Sequence, residues 1–438
     1  MAESELLRLT RIEVSGLFGM YDHKIELNLE DRVTLLHGPN GVGKTTMLQM
    51  VSALLDGNFS YFARVPMHSF TMNFNDDSTL GVLSNGSAGQ GEDTHEITLI
   101  RDGDSMSTGF SSRLNFERAT DKYNNFWPSD LNEGNWVNEL GGEILTESEL
   151  IRRYGGKDDE EDISSPDWLE NFLDRVGVYF IRVQRLIQPS PERRPHHHRF
   201  WRSLPPISRV IECRDDFNHN LASTMACYGR HAQALDQSFP QRLLSAGKTL
   251  PQADLQEKME AVASKTNDLQ KMGILDQTSP FDIPQLDSHG DNTHAKVMTL
   301  YVEDTEEKLK ALDHFADRAR IFLENVNQKF RHKKIQIDRE VGFVVEDDRG
   351  QPLQLSSLSS GEQHELVLHY GLLFSVPSNT VVLIDEPELS LHVTWQKKFL
   401  PDLLEILKLR QFDALIATHS PYIVGERDDL MVPLSDSV

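Results

Sequence analysis

The stretch that most restricts the fold of this chain is GPNGVGKT, residues 38–45. It matches the spacing G-x-x-x-x-G-K-[ST], follows an apolar run at 32–37, and precedes a helix-like run at 47–55. In such a loop the glycines allow backbone N–H groups to surround phosphate oxygens, the lysine adds a positive charge, and the next hydroxyl faces a metal ion. The loop requires a strand before it and a helix after it, so the stretch predicts an α/β core. The residues predicted to bind phosphate are Gly38, Pro39, Asn40, Gly41, Val42, Gly43, Lys44, Thr45 and Thr46.

Two carboxylates end a second apolar run, at 381–384. This run is typical of a strand that is buried on both faces, and Asp385 and Glu386 follow it directly. Ligands of open α/β sheets bind at the carboxyl ends of the strands, so both acids are predicted to lie beside the phosphates. We expect Asp385 to hold Mg²⁺ together with Thr45, and Glu386 to orient and deprotonate an attacking water.

Two further strand-like runs end in single polar side chains. His419 follows the apolar run 414–417, and Gln184 follows the run that begins at 176. A lone histidine is usually an ordinary core or surface group, but its place at a core strand end favours a hydrogen bond to the terminal phosphate. Gln184 is predicted to contact Mg²⁺ and the attacking water. The candidate catalytic residues are therefore Glu386, His419 and Gln184, and the candidate metal ligands are Thr45, Asp385 and Gln184.

The sequence also contains a second candidate anion site, LSSGEQHE at 358–365. Two serines and a glycine precede an apolar-periodic run, which predicts a loop that caps a helix N-terminus. Free backbone N–H groups and hydroxyls at such a place bind anions. The predicted binding residues are Ser359, Ser360, Gly361 and Glu362.

Together these motifs resemble the ABC-type ATPase superfamily, and within it the SMC, RecF and OLD branch. The resemblance covers about 1–205 and 331–438, and LSSGEQ stands where that superfamily has its signature motif. The signature binds the γ-phosphate of ATP held by a partner subunit, so the resemblance implies ATP and Mg²⁺ sandwiched between two copies, as a homodimer of heads or a higher oligomer. It further implies slow, Mg²⁺-dependent ATP hydrolysis. The implied fold is an α/β head, with a P-loop core sheet and an N-terminal antiparallel β lobe.

The middle of the chain is predicted to be a helical or coiled-coil insertion. We place the domains at 1–205 and 331–438 for the two parts of the head, and at 206–330 for the insertion. Small or apolar residues recur with a 4/3 spacing between 302 and 330, and the segment 255–269 has the same rhythm. The simple interpretation is an antiparallel hairpin whose arm of ~30 residues extends ~45 Å. A compact helical bundle is the alternative.

The composition limits the class of protein and its location. The net charge is −24, from 44 basic and 68 acidic residues, whereas proteins that coat duplex DNA are usually basic. No apolar run approaches the ~18 residues of a membrane span, and the first residues lack the pattern of a signal peptide. Two cysteines are too few for a disulfide framework or a zinc site. We therefore expect a cytoplasmic protein without a membrane partner.

One segment, 182–214, is locally basic, with eight arginines against two acids. It could contact a polyanion, either DNA or an acidic trigger protein. Two alternatives remain: Arg185 or a neighbour contacts nucleotide across the dimer, or the segment is a solvated loop that neutralises the acidic run 158–162. The three adjacent histidines at 196–198 cannot readily converge on one metal ion.

OLD nucleases carry a Toprim domain after the ATPase, whereas only 19 residues follow His419 here. We therefore expect a separate effector, or a purely mechanical role. A stand-alone ATPase with a helical insertion in the middle of the chain resembles the ATPase components of two-gene anti-phage systems such as PARIS and Septu. The leading hypothesis is an ATP-driven switch that controls a nuclease or toxin in defence. The alternatives are a RecF-like or SMC-like repair ATPase whose heads clamp DNA, and a scaffold that binds ATP structurally.

Overall fold

The computed structural model describes eleven ranges of the chain: 7–84, 94–101, 103–111, 126–128, 135–138, 144–146, 166–181, 209–245, 249–276, 292–389 and 391–434. These residues belong to two compact units. The P-loop unit comprises the described parts of 1–206 and 376–438, and the signature unit comprises those of 207–375. The second unit continues past 330 to Ser375, and the domain boundaries drawn from the sequence stay a prediction.

Strands and helices are numbered here in chain order. The strands are β1 Leu9–Leu17, β2 Tyr21–Glu26, β3 Val33–His37, β4 Ser69–Phe74, β5 Thr79–Ser84, β6 Thr94–Arg101, β7 Asp104–Ser111, β8 Phe126–Pro128, β9 Asn135–Asn138, β10 Ile144–Thr146, β11 Gly177–Ile181, β12 Lys333–Asp338, β13 Gly342–Asp347, β14 Pro352–Leu353, β15 Thr380–Asp385, β16 Asp413–Thr418 and β17 Met431–Pro433. The α-helices are α1 Lys44–Leu55, α2 Asp167–Leu173, α3 Arg209–Ser245, α4 Gln252–Lys271, α5 Asn292–Lys310, α6 Asp313–Asn327, α7 Ser360–Tyr370, α8 Val393–Arg410 and α9 Pro421–Val424.

The core of the P-loop unit is a parallel sheet of five strands in the order β11-β15-β16-β3-β17. Every residue of β15 and β16 is buried, as expected for parallel strands covered on both faces. Because the strands all run in one direction, the ends of β3, β15 and β16 lie at the same edge of the sheet.

A six-stranded sheet in the order β2-β1-β4-β5-β6-β7 forms the second layer of this unit, and its neighbouring strands are antiparallel. Burial alternates along β4, so one face of the sheet is covered. Buried residues of both sheets and of α1 form one continuous apolar cluster. The predicted fold class, an α/β core with an antiparallel β lobe, is confirmed.

The signature unit contains the long helix α3, the helices α4 to α7 and the small antiparallel sheet β12-β13-β14. Its centre is aromatic: ring centroids of neighbouring members lie between 5.1 and 6.5 Å apart. A π-helical turn, Gly371–Ser375, directly follows α7 and contributes one of the rings. The aromatic residues are Phe217, Phe315, Phe322, Phe343, Tyr370 and Phe374.

The two segments predicted to form an antiparallel hairpin are in fact parallel. Helix α4 and the residues just before it contact α5 and the start of α6. Along these two segments, the residue numbers of the contacting pairs rise together. The pairs are Leu250 with Thr299 at 3.2 Å, Lys258 with Glu306 at 2.9 Å, and Lys265 with Asp313 at 2.5 Å. The antiparallel pairing was therefore wrong, because a 4/3 spacing identifies a buried face but not the helix that covers it.

The antiparallel neighbour of α5 is α3. The Lys308 ammonium lies 2.6 Å from Asp236, and Arg242 binds Asp304, so residue numbers fall along one helix as they rise along the other. The predicted continuous arm from 302 to 330 is also interrupted, since α5 ends at Lys310 and α6 begins at Asp313.

Both cysteines of the sequence lie on α3 as free thiols. Cys213 is buried, and burial raises the pKa of its thiol to about 12. Cys227 is exposed. Among the described residues, no helix combines the length and the apolar character needed to cross a bilayer.

Candidate nucleotide site

The loop between β3 and α1 has the backbone shape of a phosphate cradle. Gly41 and Gly43 have φ angles of 88° and 98°, in the region that glycine adopts without strain. A Cβ atom on Gly43 would lie 2.6 Å from Cδ2 of Leu17, so a side chain at this position would clash. His23 adds a hydrogen bond between its Nε2 and the Val42 carbonyl oxygen at 2.9 Å. The tip of the loop is therefore fixed from both sides.

Helix α1 begins with free backbone donors. Its N-cap is Gly43, no described side chain caps it, and its first turn contains no acid. The Lys44 ammonium donates to the carbonyl oxygens of Gly38 at 2.7 Å and Pro39 at 2.9 Å, and so curls over the loop. Unpaired N–H groups at a helix start, together with a nearby ammonium, make an anion site.

Asp385 meets the P-loop at the end of β15. The Thr45 hydroxyl donates to its Oδ1 at 3.0 Å. Burial raises the pKa of Asp385, the Thr45 hydrogen bond opposes this, and the neighbouring charges of Glu386 and Glu388 add to it. A cation held here would favour the ionised form, and a hydroxyl with a carboxylate is an oxygen donor set that suits Mg²⁺. The third predicted ligand, Gln184, lies outside the described residues.

Glu386 adopts an uncommon backbone conformation. Its φ of 42° is in the left-handed region, which costs energy for a residue other than glycine. Its backbone N–H donates to the Ala417 carbonyl oxygen at 2.9 Å, and this bond joins the turn after β15 to the end of β16. The side chain is 28% exposed, so its carboxylate is open to solvent and to a ligand.

His419 contacts two carboxylates. Its Nδ1 lies 3.8 Å from Oε1 of Glu386 and 3.1 Å from Oε1 of Glu388. The sequence analysis assigned no role to Glu388, whose side chain is only 5% exposed. The sequence does show Glu388 as the second acid of the Glu-Pro-Glu stretch that begins at 386. It does not show that this acid lies beside His419.

The second predicted anion site lies in the signature unit, at the start of α7. Ser359 is the N-cap, and both it and Ser360 are exposed. Ser359 forms a capping box with Glu362, whose Oε2 accepts from the Ser359 backbone N at 2.7 Å and from its hydroxyl at 2.9 Å. Lys333 donates to both Glu362 oxygens, at 3.1 and 2.9 Å. Burial acts to raise the pKa of Glu362, but the bonds from Lys333 and Ser359 lower it overall.

A family profile described as "AAA domain" matches residues 11–340, which is more than half of the chain. The chain belongs to the AAA-domain family. A second profile, described as "AAA domain, putative AbiEii toxin, Type IV TA system", matches this AAA-domain protein over 264–425. The predicted ATPase class agrees with this family.

Among curated proteins, the AAA-domain protein is similar to Protein ea59 of Escherichia phage lambda, with 32% identity over 126 residues. The match covers 27% of this chain and 23% of the phage protein. The chain thus spans about a quarter of the length of that relative.

Two SMC head domains are among the similar solved structures. One is from Pyrococcus furiosus, has an extended coiled coil and is bound to the C-terminal domain of ScpA. The two sequences are 12% identical, the match covers 98% of this chain and 94% of that chain, and the TM-score is 0.38. The head domain from Thermotoga maritima has 10% identity, coverage of 97% and 94%, and a TM-score of 0.33. Such TM-scores do not by themselves define a fold, and the fold assignment for the AAA-domain protein rests on its strand order.

Helix α7, which begins at the signature loop (Ser359 and Ser360), buries a cluster of three ionisable side chains together with the segment that follows α6. The Lys329 ammonium lies 2.7 Å from Oε2 of Glu365, and Nδ1 of His369 lies 3.1 Å from the same oxygen. The three side chains are at most 2% exposed. Burial acts to raise the pKa of Glu365, but His369 and Lys329 lower it to about 2. The cluster fixes α7 to the segment that follows α6, and the sequence analysis missed it.

Most of the predicted basic segment, 182–214, lies outside the described residues, as do the acidic run and the three adjacent histidines. Of its arginines, Arg209 and Arg214 are described, and they pair with Glu212 at 2.7 Å and Asp215 at 2.9 Å. Within the described ranges, no group of three or more His, Cys, Asp or Glu side chains is placed to hold a metal ion.

Proposed function

We propose that this protein binds ATP with Mg²⁺ at its P-loop and hydrolyses the ATP slowly, as a conformational switch. The observation that carries the proposal is the shared edge of the parallel sheet, where the P-loop, Asp385 and Glu386 meet. Lys44 would bind the β- and γ-phosphates, and Thr45 and Asp385 would hold Mg²⁺. Bound Mg²⁺ would neutralise charge that develops on the phosphate oxygens.

In the proposed reaction, water attacks the γ-phosphorus and the bond to the β-phosphate oxygen breaks, giving ADP and phosphate. Glu386 accepts a proton from the attacking water, a role that its partly exposed carboxylate and its place beside the P-loop support. His419 lies beside Glu386, where it can hydrogen-bond the reacting groups. Lys44 keeps the phosphates in place while the proton is transferred.

We further propose that each ATP site is completed by the signature loop of a second copy of the chain. Support comes from the exposed serines at the start of α7 and from the resemblance to the SMC, RecF and OLD branch. ATP would then join two copies, as a dimer or within a higher oligomer, and hydrolysis would release them.

The test of shared sites is complementation between two inactive variants, Lys44→Ala and Ser359→Arg. Each alone should lose ATP turnover, because one lacks the phosphate-binding ammonium and the other blocks the signature loop. Mixed in equal amounts, they should recover about a quarter of the wild-type activity, because half of the random dimers carry one intact site out of two.

A matched control mixes Lys44→Ala with a chain that carries both substitutions, which should restore nothing. Turnover by Ser359→Arg alone at the wild-type rate would contradict shared sites. The same conclusion would follow if the mixture stayed inactive although the two variants assemble with each other.

A second experiment separates a switch from a scaffold that binds ATP only structurally. Glu386→Gln should bind ATP, fail to hydrolyse it, and hold copies together in size-exclusion chromatography with ATP present. The exposed Glu426→Gln is the control and should behave as wild type. If Glu386→Gln changes neither turnover nor assembly, the scaffold hypothesis is correct.

We propose that the switch controls a separate effector, a nuclease or a toxin, in anti-phage defence. One description supports this role, because a matching profile names a putative toxin of a type IV TA system. The experiment is affinity purification of Glu386→Gln from cells that express the neighbouring genes, with and without ATP. A companion protein retained only in one nucleotide state is expected.

The second candidate is a repair ATPase whose heads clamp DNA, and it is favoured by the excess of arginine in 182–214 of an acidic chain. This candidate requires hydrolysis that duplex DNA stimulates, with a steep dependence on salt. If DNA has no such effect and an effector co-purifies, defence is favoured over repair.

A further inference from the structure

A single oxygen of Glu388 organises the end of β16. Its Oε1 accepts the Thr418 hydroxyl at 2.9 Å and the backbone N–H of His419 at 2.9 Å, and it lies 3.1 Å from Nδ1 of His419. Its Oε2 is buried and has no hydrogen-bond partner among the described residues. Burying a carboxylate is costly unless it is paired and hydrogen-bonded, so the contacts of Oε1 offset the cost of burying Glu388.

The bonds around Glu388 continue into the neighbouring turns. The Thr418 hydroxyl accepts the backbone N–H of Ser420 at 3.0 Å, and the Ser420 hydroxyl donates to Oε1 of Gln396 at 2.8 Å. The Gln396 amide donates to the Leu391 carbonyl oxygen at 3.1 Å. The Gln396 amide also donates to the Glu388 carbonyl oxygen at 3.3 Å, so Glu388 is held on both sides. Its carboxylate binds the main chain of His419 and lies against the ring.

Distance decides which of the two carboxylates pairs with the histidine. The 3.1 Å ion-pair contact makes Glu388 the nearer carboxylate to Nδ1, and the separation from Glu386 is longer, at 3.8 Å. Glu388 thus takes the Nδ1 side of the ring, and the Glu386 carboxylate stays available for water.

We propose that Glu388 is a positioning residue that selects the Nδ1–H tautomer of His419, which makes Nε2 the hydrogen-bond acceptor for the attacking water. An ionised carboxylate can only accept, so the Nδ1 atom facing it carries the hydrogen. The neutral ring then has its lone pair on Nε2. This inference rests on the proposed function, and it changes the part of His419 from a donor to the γ-phosphate to an acceptor from water.

The first test compares Glu388→Gln with Glu388→Asp. The glutamine amide can donate to Nδ1 and so favour the opposite tautomer, and kcat should fall ~10- to 100-fold, as when a carboxylate that orients a metal-bound histidine is removed. The KM for ATP should stay within about twofold, because the Glu388 side chain is only 5% exposed and is not one of the predicted phosphate-binding residues. Aspartate keeps the charge and should restore part of kcat.

A double-mutant comparison shows whether Glu388 acts through the ring. In a His419→Ala background, Glu388→Gln should change kcat less than twofold, because the ring that it orients is missing. If Glu388→Gln lowers kcat in that background as much as in the wild type, Glu388 has a merely structural role and the inference is wrong.

The tautomer itself can be measured without ATP turnover, by two-bond ¹H–¹⁵N correlation spectra of protein labelled in histidine. The signal that disappears in His419→Ala identifies the residue. We expect the hydrogen on Nδ1 in the wild type and a different pattern in Glu388→Gln. A wild-type ring with its hydrogen on Nε2 would overturn the inference, even if ATPase activity is normal. If the wild type does not hydrolyse ATP, the proposed function is wrong. The spectrum would still show whether Glu388 selects the Nδ1–H tautomer of His419.

Discussion

Helices α1 and α7 both begin at a predicted anion site, but their N-termini differ in how the backbone donors are used. No described side chain caps α1, whereas Ser359 and Glu362 cap α7 reciprocally. An anion at α1 meets open N–H groups, while an anion at α7 must compete with the Glu362 carboxylate for Ser359. If ATP binds as proposed, this difference suits an order in which the P-loop takes ATP first and the signature loop joins afterwards.

The two helices are also anchored differently. The buried face of α1 is mostly apolar, and it packs into the continuous core of the P-loop unit. The buried face of α7 includes Glu365 and His369, which are paired with Lys329. Apolar packing tolerates small shifts, but a buried ion cluster is stable only while its partners keep their geometry. The position of α7 is therefore specified by polar contacts as well as by apolar packing.

The largest effect is expected from Lys329→Met, which leaves the Glu365 carboxylate buried without its ammonium. Removing one partner of a buried ion pair typically lowers the free energy of unfolding by ~3–5 kcal/mol. The urea midpoint measures this loss. The exposed Lys271→Met is the matched control, with a change below ~0.5 kcal/mol. An unchanged midpoint for Lys329→Met would mean that α7 is anchored no differently from α1.

Lys44→Ala should reduce ATP turnover by ~10²- to 10³-fold, the usual loss when one preorganised donor to a reacting group is removed. Direct titration with a fluorescent ATP analogue should show weaker binding, since the ammonium also binds the ground state. The surface Lys24→Ala, which removes only an ion pair with Glu13, is the control and should bind and hydrolyse as wild type. Normal binding by Lys44→Ala would disprove the claim that α1 forms the primary anion site.

Acid should weaken the anchor of α7. The pKa of Glu365 is lowered from 4.5 to about 2, so the carboxylate stabilises the folded protein fully above pH 4.5 and progressively less as the pH falls towards 2. The groups that face this carboxylate are Lys329 and His369. Urea midpoints measured against pH should therefore fall less steeply for Glu365→Gln than for wild type. The exposed Glu307→Gln should keep the wild-type slope.

Ser359→Ala should have the smallest effect, because loss of an N-cap costs ~1 kcal/mol. Hydrogen–deuterium exchange without nucleotide should show faster exchange in the first turn of α7 and no change in α1. Ser360→Ala, which removes a hydroxyl at the next position, is the control. Equal protection in Ser359→Ala and wild type would show that the capping box does not hold the loop, and the contrast with α1 would disappear.

The sequence was informative where a motif and an apolar run occur together. The ends of β3, β15 and β16 were located correctly because buried parallel strands are continuous apolar runs, and their common direction brings Thr45 and Asp385 together. Pairings between distant positions were not accessible in this way. Glu365 and Lys329 are 36 residues apart, and Glu388 and His419 are 31 apart, so only the folded chain shows these contacts.

The helical segment illustrates the same restriction at a larger scale. The amphipathic rhythm of α4 and α5 correctly marked helices, but it gave neither their relative direction nor the break between α5 and α6. Those properties depend on which side chains meet across the interface, such as Lys258 with Glu306.

The two thiols on α3 differ in exposure, so the exposed one can be labelled selectively for fluorescence measurements. Because Cys213 is buried and Cys227 is exposed, a maleimide fluorophore should attach at a single place without any engineering of the chain. Donor- and acceptor-labelled copies, once mixed, would then report by energy transfer whether two molecules associate after ATP is added and whether they separate again.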